Sequence, residues 1–504
     1  MIHTPCRFAR VGLAAVFTLA LAAAPSAQSP VGGVTLEHLE QEINATFGLA
    51  DSTVFEVSLD GVMGGAVTAA LELQGQSTLM HLLPVSVRGQ GFQVLTQQRD
   101  GSLVAQEAAP SSTLRGALLD IPGSRVAASW LDEGLFARIL MADGVEYWLE
   151  PIAAEVDGAL PGHHVLYAGS DVLDHGKRCG SDLLPDVGVS PLPQSGGGQV
   201  YEGTAVQVAE LACDADYEYF QDYGTVGATT NRIESVINTV NMQYEAEVGI
   251  THEITTIVVR TSSNDPYSST DAGTLLNQFR NEWNSNQSGV QRDVAELFTG
   301  KEIQGGTIGI AWVGVVCNLG FAYNMVQSDF NGAFACATDL SAHELGHNWG
   351  ADHCNCTSNT MNPFITCANT FSAQFSVPDI TSYRDSVNCL EGGGTPPGGD
   401  PVSLHVASIV PSTVKKGQGK KSARATVVIE DDQGNPVSGV TVTVTFTGHI
   451  NEVGSGTTNG SGSVAITTNG TKKGKLNFTA CVTGVSGGGL PYDSGDNVET
   501  CDSK

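Results

Sequence analysis

Positive charge is scarce in this chain. Only 24 of its 504 residues are Lys or Arg, against 53 Asp or Glu, which leaves a formal net charge of −29. The imbalance is uneven. From Pro401 onward nine basic residues face eight acidic ones, so the first 400 residues carry 24 − 9 = 15 basic and 53 − 8 = 45 acidic side chains. A surface of that sign repels phosphate backbones and argues against a nucleic-acid partner. It suits saline surroundings or bound calcium, and the sequence does not choose between them. Long apolar runs are missing beyond residue 24, so no later stretch has the length of a membrane span. No Cys-x-x-Cys pair occurs, which argues against a separate cysteine metal ribbon.

What is present begins with a secretory pattern. Arg7 and Arg10 precede an apolar run from Val11 to Ala24, and Ala24-Pro25-Ser26-Ala27 offers small residues for cleavage. Residues 1–27 therefore read as a signal peptide, with a retained signal anchor as the alternative. Cys6 leaves with that segment. Ten cysteines remain, namely Cys179, Cys213, Cys317, Cys336, Cys354, Cys356, Cys367, Cys389, Cys481 and Cys501. With a signal peptide they suggest disulfides and a secreted, extracellular protein. Hydrophobic residues make up 41 % of the chain, enough for packed cores.

Two Pro/Gly-rich breaks divide the rest, Pro191-Leu192-Pro193-Gln194-Ser195-Gly196-Gly197-Gly198 and the run from Gly392 to Gly399. The expected organisation is a first segment at 28–198, a middle segment at 199–391, a linker at 392–400 and a last segment at 401–504. The first segment looks mixed, with more strand than helix. In the middle segment Ile233, Val236, Ile237, Val240 and Tyr244 fall at helical spacing, as do Leu275, Leu276, Phe279 and Trp283. Ile254–Val259 and Thr307–Gly314 read as strands. That alternation implies an α/β layer with a mixed sheet. The last segment shows short strands at Ala425–Ile429, Val440–Phe446, Ser463–Thr467 and Leu476–Val482, the pattern of a small β-sandwich.

The chemistry concentrates in His343-Glu344-Leu345-Gly346-His347-Asn348-Trp349-Gly350-Ala351-Asp352-His353, an H-E-x-x-H-x-x-G-x-x-H pattern with Met361 beyond it. On a helix His343 and His347 point from one face. Gly350 can end the helix and turn the chain, which brings His353 back as a third nitrogen. Three protein ligands leave an open position on zinc, the mark of a catalytic site rather than a structural one. Glu344 lies beside the first ligand, placed to act as general base.

This motif resembles the metzincins, and among them the reprolysin/ADAM-type metalloproteases. The likeness extends over the middle segment. Ala209-Glu210-Leu211 with Asp216 is similar to the family's first strand, and Arg292-Asp293-Val294-Ala295-Glu296-Leu297-Phe298-Thr299-Gly300 to the stretch before its edge strand. Gly306-Thr307-Ile308-Gly309-Ile310-Ala311 resembles that edge strand, which would pair with an extended substrate. Val316-Cys317-Asn318 resembles the sequel to that strand, and Phe371-Ser372 with Cys389-Leu390 the close of the domain. Asn359-Thr360-Met361-Asn362-Pro363 is similar to the Met-turn. The resemblance implies a zinc endopeptidase acting on protein or peptide substrates. It also implies a Cys317–Cys389 disulfide and a calcium site from Glu210, Asp293 and the carbonyl of Cys389. Departures are Cys354, where an acidic residue is common, Thr360, where a cysteine is usual, and Gly392 in place of a side-chain amide. They point to a rearranged disulfide map, in which Cys354, Cys356 and Cys367 staple the loop and one of seven cysteines is left over.

Lys177-Arg178-Cys179-Gly180 resembles the cysteine switch of a metzincin propeptide, which makes residues 28–198 a propeptide cut somewhere near 181–200. A disulfide from Cys179 to the leftover cysteine is the alternative. His163, His164, His175 and His252 lack ligand-like company. The last segment resembles bacterial Ig-like modules, with Cys481 and Cys501 able to close its final strands. Its Lys415, Lys416, Lys420 and Lys421 read either as a solvated loop or as a contact for a polyanion, cell surface or matrix. A secreted binding protein with a metzincin scaffold is the rival to the protease.

Overall fold

The computed structural model describes residues 35–61, 65–184, 206–392, 404–417, 419–431, 436–459, 462–487, 490, 492, 497 and 500–504. The expected signal peptide, the 191–198 break, the 393–400 part of the second linker and the 185–200 part of the maturation region lie outside the described residues.

Three bodies of sheet organise the rest. The first segment opens with the helix Leu36–Phe47, capped by Thr35, and builds a nine-stranded antiparallel sheet. Its strands alternate cleanly, as in Val67–Leu73, where every second residue is buried.

The middle segment forms a mixed sheet with helices packed against it. In spatial order its own strands are Thr307–Ala311, Tyr323–Val326, Val294–Phe298, Gln207–Ala215 and Ile250–Val259. All neighbours in this run are parallel except Thr307–Ala311 with Tyr323–Val326. The central strand Val294–Phe298 is buried at every residue, as expected when helices cover the sheet, and carries one charged side chain, Glu296. Both expected helices form, at Val226–Val248 and Ala272–Asn286. Two boundaries differ from expectation. The strand begun at Thr307 ends at Ala311 rather than Gly314, because Gly314 takes φ +64 and turns the chain toward the motif helix. Asp216 lies just past its strand and caps the helix Tyr217–Tyr223, accepting from the Tyr219 N–H at 2.8 Å.

The first segment does not stop at its own sheet. Arg88–Gln97 pairs in parallel with Ile250–Val259, and Leu103–Gln106 adds a further strand beyond it. At the opposite edge Arg178–Cys179 pairs in parallel with Thr307–Ala311. The first segment thus brackets the middle sheet on both sides. One hydrophobic core spans both segments, including Ile43, Phe47, Trp148 and Tyr167 with Ile237, Tyr244 and Leu345. The polar face of the helix Val226–Val248 is covered too. Arg88 reaches Glu234 at 2.8 Å, and Arg115 Nε donates to Asn238 Oδ1 at 2.7 Å.

The last segment is a sandwich of two antiparallel four-stranded sheets. Its core interleaves Val406, Ala425 and Val427 of one sheet with Val442, Val444 and Ala480 of the other. Four strands fall outside those expected, Leu404–Lys415, Glu452–Thr457, Lys472–Lys473 and Cys501–Ser503. Leu404–Lys415 contains Pro411, which is tolerated because this is an edge strand, and Glu452–Thr457 carries glycines and faces solvent on alternate residues. Cys481 and Cys501 form a disulfide between the last two strands.

Candidate metal centre

The motif helix runs from Phe334 to Asn348, and all fifteen of its residues are buried. A helix buried on every side must satisfy its polar groups internally. Asp339 accepts from the Thr360 hydroxyl at 2.8 Å and the Asn369 N–H at 2.9 Å. Asn348 donates to the carbonyls of Trp312 and Tyr323 at 2.9 and 3.2 Å, which ties the helix end to the sheet.

Beyond Trp349, Gly350 takes φ +89 and Ala351 N–H returns to the Gly346 carbonyl at 2.9 Å. Positive φ at this point reverses the chain, so only glycine fits without strain. The reversal delivers His353 to the two helical histidines. His343 Nε2 and His347 Nε2 stand 3.1 Å apart, and His347 Nε2 and His353 Nε2 stand 3.2 Å apart.

The other ring nitrogens fix the tautomers. His343 Nδ1 faces the Thr360 carbonyl at 2.6 Å and His347 Nδ1 the Ala351 carbonyl at 2.7 Å. His353 Nδ1 faces the Asp182 carboxylate at 3.1 Å. Each of these partners accepts, so each Nδ1 carries the proton and each Nε2 presents a lone pair. Burial holds His347 well below the usual imidazole range and His343 down at about 3, so both stay neutral. Three converging lone pairs repel one another unless a cation lies among them. Ligands about 2.0–2.1 Å from a tetrahedral ion stand roughly 3.3 Å apart. The donor set therefore fits zinc, and each ligand already has the outer partner that orients it.

Two more groups complete the cluster. The Cys179 sulfur and the three histidine nitrogens lie within 4.8 Å of one another. Cys179 Sγ also donates to Glu344 Oε2 at 3.4 Å, while Glu344 Oε1 has no partner among the described residues. Burial pushes the Glu344 carboxyl well above the ordinary range, and the nearby Glu296 adds to the rise. Burial first, and then the Glu344 charge, likewise push the Cys179 thiol up. A cation in the cluster opposes that effect, since positive charge favours the thiolate.

Cys179 is held there by main chain on both sides. Cys179 N–H donates to the Pro363 carbonyl at 3.1 Å, and Ile365 N–H to the Lys177 carbonyl at 3.0 Å. Gly180 N–H donates to the Gly309 carbonyl at 2.9 Å, and Ala311 N–H to the Ser181 hydroxyl at 3.0 Å. The outer edge of Thr307, Ile308, Gly309, Ile310 and Ala311 is thus engaged by the first segment. Gly306 lies in the turn before this strand at φ +76, not in the strand. Gly309 is required for a second reason: a Cβ there would run into the Glu344 carboxylate and come within 2.8 Å of Leu340 Cδ1.

Met361 is fully buried against the motif helix, where a Cβ on Gly346 would come within 2.5 Å of its sulfur. Cys317–Cys389 is a disulfide, as the resemblance implied. Cys336 joins Cys367, tying the motif helix to the loop after Met361, and Cys354 joins Cys356. The leftover cysteine is Cys213, buried and free, as is Cys179. His252 is a core residue, accepting from Trp349 Nε1 at 3.1 Å, and His175 pairs with Asn331.

The suggested calcium residues are only partly gathered. Asp293 lies in one group with the Cys317–Cys389 sulfurs, which are already bonded to each other. Its carboxylate accepts from the Glu210 N–H at 2.9 Å, but the Glu210 carboxylate takes its hydrogen bond from Gln291. Burial, with Glu210 and Glu391 beside it, raises the Asp293 carboxyl to about 6.

Sequence reasoning missed Ser181, Asp182 and Glu296. Ser181 and Asp182 follow Cys179 directly but match no ligand spacing, and Glu296 sits unmarked in a strand.

Residues 205–385 match the reprolysin model of metallo-peptidase family M12. The match supports a reprolysin-type metalloprotease, a hydrolase that acts on peptide bonds. No helix among the described residues is long and apolar enough to cross a membrane.

Proposed function

We propose that this chain is a secreted zinc endopeptidase made as a latent precursor, with Glu344 as its general base. The observation that carries the reading is the convergence of His343, His347 and His353 Nε2 beside the Glu344 carboxyl, inside a segment that matches a metallopeptidase family. His343, His347 and His353 would hold the zinc. Zinc bound there supplies a Lewis acid that polarises a peptide carbonyl and makes water acidic enough to react near neutral pH.

The protein's own groups do the rest. Glu344, ionised once the positive charge of a metal lies beside it, takes a proton from the attacking water and gives it to the departing amine. The Thr360 and Ala351 carbonyls keep two imidazoles in the ligand tautomer. Main-chain groups of Thr307–Ala311 pair with an extended peptide once the Lys177–Asp182 strap leaves, which fixes register rather than side-chain preference.

Latency follows from the same strap. Cys179 would take the position that water needs, and its neighbours hold the substrate's hydrogen-bonding edge. The secreted location is supported by the signal-like start and by four disulfides. Calcium, bound by Asp293, Glu210 and the Cys389 carbonyl, would brace the sheet end far from the reaction. It requires the Glu210 carboxylate to turn from Gln291. The last segment, an Ig-like sandwich in this reading, attaches the enzyme to a surface or matrix.

Chelation tests the metal requirement. Casein hydrolysis by the matured chain is expected to stop with 1,10-phenanthroline and return with added zinc. Undiminished hydrolysis in the metal-stripped protein contradicts the reading.

A further inference from the structure

Eight of the nine basic residues after residue 400 fall in two short stretches, Lys415 to Arg424 and Lys472 to Lys475. The fold brings these stretches together. Lys472–Lys473 pairs antiparallel with Lys420–Lys421, setting Lys420 opposite Lys473 and Lys421 opposite Lys472. On the other side Lys415 stands opposite Lys421. Gly474 N–H reaches the Gly419 carbonyl at 3.4 Å, so the two turns form one surface. Seven lysines, Lys415, Lys416, Lys420, Lys421, Lys472, Lys473 and Lys475, therefore crowd one end of the sandwich.

This arrangement works against stability. Like charges placed directly opposite on paired strands repel each other. Among the described residues no ion pair joins any of them to a carboxylate. The lysine ion pairs among the described residues are those of Lys177 and Lys301, outside the sandwich. Glu452, close in space to this end, accepts from the N–H groups of Asn469 and Gly470 at 2.7 and 2.8 Å and forms no ion pair with these lysines. Arg424 is engaged with the Thr467 hydroxyl at 3.0 Å. Meanwhile the first 400 residues are strongly acidic, so the patch is not part of a general basic character.

We propose that this lysine end is a binding site for a linear anionic polysaccharide. Three features set the ligand class. The charges are lysines, point charges that do not demand the bidentate geometry by which arginine reads a discrete phosphate or carboxylate. Neither stretch contains an aromatic side chain on which a base could stack, which disfavours single-stranded nucleic acid. Between the lysines, Gly417, Gly419 and Gly474 have open space where a Cβ would be, so a polymer can lie close to the backbone. The inference rests on the sandwich alone and stands whether or not the metal centre is proteolytic.

The test uses the full chain carrying Glu344→Ala, which avoids self-cleavage, and measures binding to dextran sulfate and polygalacturonate over a salt series with EDTA present. Binding to both is expected despite the net charge of −29, falling steeply with salt. Lys472→Glu with Lys473→Glu should weaken it about tenfold or more and flatten the salt dependence. The same double variant turns two repelling pairs into attracting ones, so its melting temperature should hold or rise. Neutral dextran should not bind. Binding that survives the double variant overturns the proposal, as does no binding to either polymer. Equal or tighter binding to duplex DNA or to phosphatidylserine vesicles overturns the ligand class.

Discussion

Cys179 Sγ lies 3.4 Å from Glu344 Oε2, so a thiol from the first segment covers the carboxyl that the proposed reaction needs. The two cannot serve at once. Cys179→Ala should therefore yield a precursor that cleaves casein before any maturation cut, whereas the unaltered precursor stays silent. Equal silence in both would remove the thiol from the account of latency.

Asp182 acts on the same centre from the side. Its carboxylate faces His353 Nδ1 at 3.1 Å, and among the described residues it is the one outer partner of a histidine ligand that the first segment supplies. The aspartate is largely exposed, so the contribution is modest. In the precursor, Asp182→Ala should raise the rate at which a thiol reagent modifies Cys179 by about three- to tenfold. An unchanged rate would show that Asp182 does not help hold the strap.

Gly309 has no room for a side chain, because Glu344 and Leu340 fill the space. Gly309→Ala should overpack the contact at a cost of about 1–3 kcal/mol in stability. It should also displace the general base, lowering casein turnover about a hundredfold with zinc content unchanged. Full turnover would mean that Glu344 has more freedom than its burial indicates.

Glu296 carries a pH dependence. It is fully buried on the central strand Val294–Phe298, and burial, opposed only by the nearby Ser341 hydroxyl, raises the carboxyl to about 8. Cys213, Tyr244 and Glu344 are the titratable groups that sense its charge. Its folded pKa lies above the ordinary glutamate value, so between about 4.5 and 8 the folded state holds a proton that the unfolded state has released. Stability from this site is full below that window and is lost as pH rises through it. Glu296→Gln should flatten the decline, seen as a smaller drop in urea midpoint between pH 5.5 and pH 8. Parallel curves for the two proteins would contradict the assignment.

The sequence disclosed the centre of this protein better than its borders. His343, His347, Gly350 and His353 were legible because zinc demands fixed ligand types at fixed spacing, and a helix followed by a glycine turn meets that demand locally. The helices at Ile233 and Leu275 were legible because burying one face imposes a period. Arg88–Gln97 could not be assigned to the middle sheet, since strand alternation is the same whichever sheet receives it. Nor did any pattern join Lys420 to Lys473, because pairing between distant strands leaves no local trace. Ser181 and Asp182 act through side chains, a hydroxyl on Ala311 N–H and a carboxylate on His353 Nδ1, but they reach these partners only through long-range placement that no local spacing records.

The most direct test of the central claim compares the matured chain with its Glu344→Ala variant for casein hydrolysis, with zinc measured in both. The account predicts about one zinc in each protein, hydrolysis by the first and none by the second. Hydrolysis by the variant at the unaltered rate, or the absence of zinc from both, would contradict it.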